Sequence, residues 1–478
     1  ATDPKDNLKV EEILFDTKVD HGPFPISDVA KLNLMPKLAA LNNTLVKTDT
    51  TKKLFELTAD KSPLALHTSL GFDGAVSGSA VISAIDYTDN NDKSNITSTP
   101  ITLNFASDKD GKNISSDIKG EQFVITQGAN DKFTVKNISG SLTGTKVAGD
   151  QYMFNDQSIT LGELVHTGDD KASEFSMKDL ALKTNSEIKD KLFYINQDYT
   201  FKSLSVGGLD FGAGKFAYSI DKADPDAMLL LTKVYNNSLL PWNKNKLGSS
   251  ELVEQAVRDV LEKGLIFRID EASLTNSAGA SKLNFNIDLN AFKVDEFDKN
   301  DKKPSEIFNS LFKNIDFNVS LSMPMLEEFR NTTQYLDAAR YSKEPLNDEK
   351  KAEIKATTTK DINQLKTELQ QNINQISQDE KEALPLMTLS QDGKSLDLKL
   401  NYAADKFTMN GKTYSFDEFM NVTQAPQMLG LAAMLIGAGA SSYGSYDDDA
   451  DYPAYSEEEI TEDPAIIEEQ EIVIPENK

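Results

Sequence analysis

The chain has 478 residues, with 76 Asp and Glu against 50 Lys and Arg, and its net charge of −26 sets up a field that repels nucleic acid and anionic lipid headgroups. There is no cysteine, which excludes disulfides, thiolate metal sites and cysteine nucleophiles. The hydrophobic share of 39% is low for a globular protein and predicts an extended, high-surface body with a disordered portion.

Residues 8–19 read as a strand, stopped by the prolines of Asp20-His21-Gly22-Pro23-Phe24-Pro25. From Ser27 onward Val29, Leu32, Leu34, Leu38 and Leu41 can share a helical face, which Pro36 should kink or divide, and a short helix is expected around Leu54 to Leu57.

From Leu64 to Ile220 the pattern changes to apolar pairs two residues apart, such as Phe133/Val135, Ile159/Leu161, Leu180/Leu182 and Tyr199/Phe201. Polar and glycine-rich turns separate them. That spacing predicts a long, curved antiparallel meander with one buried and one wet face rather than parallel units with helical crossovers.

Helices enter later. An apolar stretch lies near Ala227 to Tyr235, and Glu251 to Lys263 carries one stripe between Ser250 and Gly264, which cap and stop it. A helix around Ser305 to Phe312 leads into the alternating Ile315, Phe317, Val319, Leu321 and Met323. Ile362, Leu365, Leu369, Ile373 and Ile376 then form an amphipathic stripe that packs on the body or on another copy, the body being favoured because only about two heptads are present. A hairpin from Lys406 to Ser415 turns at Asn410-Gly411.

The last stretch is acidic: Asp447 to Lys478 holds 13 acidic residues and one lysine, a composition expected to stay disordered. The apolar run Met428 to Ala440 is 13 residues long, short of the roughly 20 a membrane-spanning helix needs. The fold class is therefore α+β and β-rich. The expected organisation is a mainly antiparallel lobe over 1–221, a mixed lobe over 222–425, and a short apolar run with an acidic tail over 426–478.

Catalytic signatures are missing. The three histidines, His21, His67 and His166, are not spaced to place two metal ligands on one helix face, and no Gly-x-Ser-x-Gly elbow occurs. The glycines from Gly207 to Gly214 lack the phosphate-loop pattern, with Leu209 where the first glycine belongs and Phe216 in place of Ser or Thr. Asp108 to Asn113 opens like a calcium loop, but its twelfth position is Lys119, so both segments read as turns. His21 is expected to serve a rigid corner, with Phe24 as a packing anchor; a ligand or proton-sensing role is the alternative.

His21-Gly22-Pro23-Phe24-Pro25, followed by Leu32-Asn33-Leu34-Met35-Pro36, resembles the opening motif of the YdgA-like family of Gram-negative bacteria. The Val206-to-Gly212 turn and the hairpin Asp405 to Gly411 extend the likeness over most of residues 8–420. The resemblance implies a periplasmic or envelope location, with membrane attachment only through a segment upstream of Ala1, and it brings no catalytic residues or cofactor.

The leading expectation is a non-enzymatic envelope scaffold or interaction protein, self-associating or docking a partner, with no nucleic acid. The alternative is a carrier whose strands line a groove for a lipid or other hydrophobic ligand, and a third reading is an exported surface protein.

Overall fold

A computed structural model describes residues 13–30, 36–89, 93–128, 130–148, 151–169, 173–207, 209–231, 259–260, 262–291, 303–341, 346–376 and 387–422. By contact, residues 1–429 form one unit and residues 430–478 another. The acidic tail and the apolar run at Met428 lie outside the described residues, as do most of the helix expected over 251–263 and the segment Leu32 to Met35.

Among the described residues every strand pairing is antiparallel, and the strands hydrogen-bond into one sheet. The sheet opens with β1 (Phe15–His21), β2 (Ala39–Leu45), β3 (Leu64–Leu70) and β4 (Val76–Ile82), each paired with the next. β4 pairs with β7 (Ile101–Ser107), which pairs with β8 (Asn113–Gln127). The short β5 (Asp86–Thr88) and β6 (Asn95–Ser98) extend this pattern beyond the break at Thr99-Pro100, β6 pairing with the far end of β8.

The long hairpins follow: β9 (Asp131–Ala148), β10 (Gln151–Thr167), β11 (Phe175–Lys189), β12 (Leu192–Val206) and β13 (Leu209–Ala223). The ladder continues through β14 (Ile266–Asn276), β15 (Gly279–Leu289) and β16 (Phe312–Ser322) to β18 (Ser395–Ala403). The other edge of β18 takes both β17 (Thr388–Leu389) and β19 (Lys406–Met409), and β19 turns at Asn410-Gly411 into β20 (Lys412–Ser415). Both turn residues have positive φ, 49° and 88°, as a two-residue hairpin of this type requires.

The helices are few. α1 (Ile26–Val29) and α2 (Lys52–Leu57) are short. The expected helical face reaching Leu41 is wrong at its end, because Ala39 to Leu45 are β2, where pairing with β1 and β3 decides the conformation. Residues 225–231 are helical, as the sequence suggests.

α3 (Pro304–Leu311) runs directly into β16, and Met323, expected to continue that strand, instead starts α4 (Met323–Tyr341) with its side chain fully buried. α5 (Asp348–Ile376) is the amphipathic helix. It packs antiparallel on α4 through an Arg330–Asp361 ion pair at 2.5 Å, a Thr358 hydroxyl donating to Gln334 at 2.8 Å, and the buried Ile362 and Leu369. α6 (Phe416–Val422) starts with a capping box: the Glu418 amide donates to Ser415 Oγ, and the Ser415 amide donates back to the Glu418 carboxylate.

Candidate functional site: an apolar strand face

Because side chains alternate along a strand, residues paired in register lie on the same side of the sheet. Starting from Leu66 on β3, the partners are Ala80, Leu103, Ile118, Gly140, Ile159 and Leu182. From Leu182 the row passes to Tyr199, Phe216, Ala272, Leu283, Val319 and Leu398. This is an unbroken row without a charge across 13 strands, about 60 Å measured along the sheet at ~4.8 Å per strand. The neighbouring row, Leu64, Ile82, Ile101, Gly120, Ile138, Leu161 and Leu180, is also apolar.

The opposite face is polar. One register there reads Asn42, His67, Ser79, Asn104, Asp117, Ser141, Ser158, Lys183 and Asp198. It is knitted by hydrogen bonds, such as Asn104 Nδ2 to Asp117 at 2.9 Å and the His67–Asn42 contact at 2.8 Å.

An amphipathic sheet ordinarily hides its apolar side under a second layer. The sequence pattern predicts such burial, and the structure corrects it. Leu66, Leu103, Ile118 and Leu182 are only half-buried, and Ile159 is 52% exposed. All the strand residues among the exposed large apolar side chains, namely Phe15, Val19, Ile82, Ile159, Ile188, Phe216 and Leu274, fall on this one face. Such an exposed apolar stripe is too continuous to be scatter.

Glycines shape the face. A Cβ at Gly140 would come within 2.9 Å of Ile118 and 3.1 Å of the Ser158 carbonyl, and one at Gly214 would collide with the Phe201 ring, so neighbouring side chains lie over both positions. Between β12 and β16 the face hollows into an apolar cavity of ≈ 380 Å³, lined by Tyr199, Phe201, Phe216, Leu274, Leu283, Val319 and Leu321. A polar cluster beside it satisfies itself, with the Tyr199 and Tyr218 hydroxyls both donating to Gln197 Oε1.

A larger depression of ≈ 740 Å³ lies on the polar face, lined by groups such as Lys119, Glu121, Asn137 and Asp179. It follows a crease at which Glu121, Asn137 and Gly162 drop out of the ladders. Asn137 and Asp179 take left-handed φ values of 55° and 52° there, a conformation that Asn and Asp tolerate best after glycine. Its lining carries both charge signs. The apolar cavity is the stronger candidate, since it lies on a continuous surface that water solvates poorly.

The residues singled out by sequence form a turn at one end of the sheet. His21 closes β1 opposite Ala39 and is exposed. Gly22 has φ 106°, the Pro23 carbonyl accepts from the Lys37 amide at 3.0 Å, and the Pro25 carbonyl accepts from Val29 at 3.0 Å. The packing anchor is Pro25, which is fully buried, whereas Phe24 is 55% exposed.

The three histidines are not brought together. His166 stands on β10 with Asp131 at 2.8 Å and the Ser173 carbonyl at 3.1 Å, and these acceptors raise its pKa above the usual imidazole value. The calcium-like segment is a hairpin turn in which the Lys112 and Asn113 amides donate to the Asp108 carboxylate at 2.7 and 3.1 Å. Among the described residues no group of three or more His, Asp or Glu is placed to hold a metal, and no helix is long and apolar enough to cross a membrane.

Fold and face together define a β-rich protein built on one long antiparallel sheet with one apolar and one polar side. The chain belongs to the family described as bacterial protein of unknown function, DUF945, whose model matches residues 1–417. It is similar to Protein YdgA of Escherichia coli (strain K12), 25% identical over 445 residues, covering 87% of this chain and 80% of that one. It is also similar to the uncharacterized protein YihF of the same strain, 26% identical over 443 residues, covering 87% and 82%. No solved structure matches the chain.

Proposed function

We propose that this protein is a non-catalytic carrier of the bacterial envelope that holds the alkyl chains of a lipid or similar hydrophobic molecule along its apolar strand face. The observation that carries this reading is the charge-free row from Leu66 to Leu398, whose middle stays solvent-accessible. A face that is long, narrow and without charge matches a ligand that is itself long and aliphatic. Each methylene withdrawn from water there contributes roughly 0.8 kcal/mol, so a chain lying over several strands gains affinity without any specific polar contact. The envelope location rests on the family resemblance of the His21-to-Pro25 motif.

Binding of a polyene fatty acid whose fluorescence rises in an apolar site tests the proposal. Saturable binding is expected, weakened by Ile159→Asp and Leu274→Asp. Failure of the wild-type protein to bind, combined with a concentration-dependent mass in light scattering, would instead favour the scaffold reading.

A further inference from the structure

Exposed apolar side chains are concentrated at the end of the sheet that carries the His21-to-Pro25 turn. Ile26 is 75% exposed, Phe72 63% and Phe24 55%, with Leu38 and Val29 also exposed. Two hydrogen bonds bring them into one neighbourhood: the Lys37 amide donates to the Pro23 carbonyl at 3.0 Å, and the Leu38 amide donates to the Leu70 carbonyl at 2.8 Å. The Phe24 turn and the β3–β4 turn bearing Phe72 thus flank the same short segment.

The scaffold beneath them is stiff. Pro25 is fully buried, its carbonyl caps the Val29 amide, and the Phe72 turn is closed by the Gly71 amide donating to Ala75 at 2.8 Å. A rigid turn that buries a proline and displays a phenylalanine keeps that ring largely in water.

We propose that this tip docks on the surface of a lipid bilayer and inserts Phe24, Ile26 and Phe72 into its acyl boundary. The five side chains hold only carbon and hydrogen, so they enter an acyl boundary without stranding a hydrogen-bonding group there. Charges nearby are of both signs, Lys18 and Lys37 against Asp20 and Asp73, and the chain carries −26 overall, so the surface is zwitterionic rather than anionic.

The tip also continues the carrier face, since the register His21, Ala39, Leu70 and Val76 ends the apolar side of β1 to β4 at this point. Docking would therefore set one end of the stripe against the source of its ligand, an inference that rests on the carrier reading.

Flotation of the full chain with vesicles of phosphatidylcholine and phosphatidylethanolamine tests it. The protein should float with the vesicles, and raised salt should not release it. Phe24→Asp and Phe72→Asp should each weaken partition about tenfold, while Lys183→Ala, exposed on the polar face far along the sheet, should leave it unchanged. Absence of flotation, or flotation unaffected by both tip substitutions, overturns the proposal. So does a dimer in sedimentation that these two substitutions dissolve without any vesicle binding. Vesicle binding by a protein that takes up no fatty acid would retain the tip and remove the carrier; fatty-acid binding without flotation would do the reverse.

Discussion

The middle of the sheet and its C-terminal end use the same strand chemistry to opposite effect. In β16, β18 and β19 the apolar face is roofed by α3 and α6, and Leu398, Tyr402, Phe407, Met409, Tyr414 and Phe419 are buried together. Phe407 stacks on Phe419 with ring centroids 4.0 Å apart, and Phe308 of α3 meets Tyr402 edge-on at 4.9 Å. From β3 to β11 the same registers carry Leu66, Leu103, Ile118 and Ile159, none of them buried. A layered end supplies stability, whereas a half-exposed middle keeps an apolar surface accessible.

The sharpest way to break this comparison is to truncate one large side chain in each region. Phe407→Ala removes a stacked, buried ring and should cost about 3–5 kcal/mol in urea unfolding. Ile159→Ala in the middle should cost about 1 kcal/mol, since only about half of that side chain leaves water on folding. Equal costs would mean that the middle is as well packed as the end.

A smaller effect tests the geometry of the middle itself. A Cβ at Gly78 would run into the His67 carbonyl and the Phe105 ring, so Gly78→Ala should destabilise by about 1–3 kcal/mol despite its modest chemistry. At the helical pair, Asp361→Asn removes a partly exposed ion pair with Arg330 and should change stability by no more than about 1 kcal/mol.

The smallest effect is a pH dependence at β9 and β10. The Ser173 carbonyl and Asp131 raise the pKa of His166, so the folded state binds its proton more tightly than the unfolded chain. The resulting stabilisation is present in full below the unfolded value near 6.5 and is lost as pH rises through the folded value. NMR titration of His166 should give a midpoint above 6.5, and His166→Gln should remove this slope from the stability profile.

Much of the sheet was legible because period-2 pairs and turn residues are local signals. The Asn410-Gly411 hairpin, the Gly207 turn and the helix Pro304–Leu311 follow from a few adjacent residues. Helix α4 was missed because its sequence from Met323 to Tyr341 lacks a clean apolar stripe; its burial comes from α5 and from Ser281 against Met325. Leu38 and Leu41 fit a helical spacing, yet cross-strand partners placed Leu41 in β2.

The candidate site was harder to see. Alternation shows that a strand has an apolar side, but registers across 13 strands make the sides continuous, and among the described residues none roofs Ile159. None of these facts is carried by a short motif. Phe24 was misjudged for the same reason, since a sequence cannot say which ring or proline of a rigid turn faces inward.

The most direct test of the central claim is mass spectrometry of the natively purified protein before and after organic extraction. The account predicts a bound species with long alkyl chains in the wild-type protein, depleted in the folded Ile159→Asp and Leu274→Asp variants. A wild-type protein that is consistently empty, or one whose ligand survives both substitutions, would contradict it.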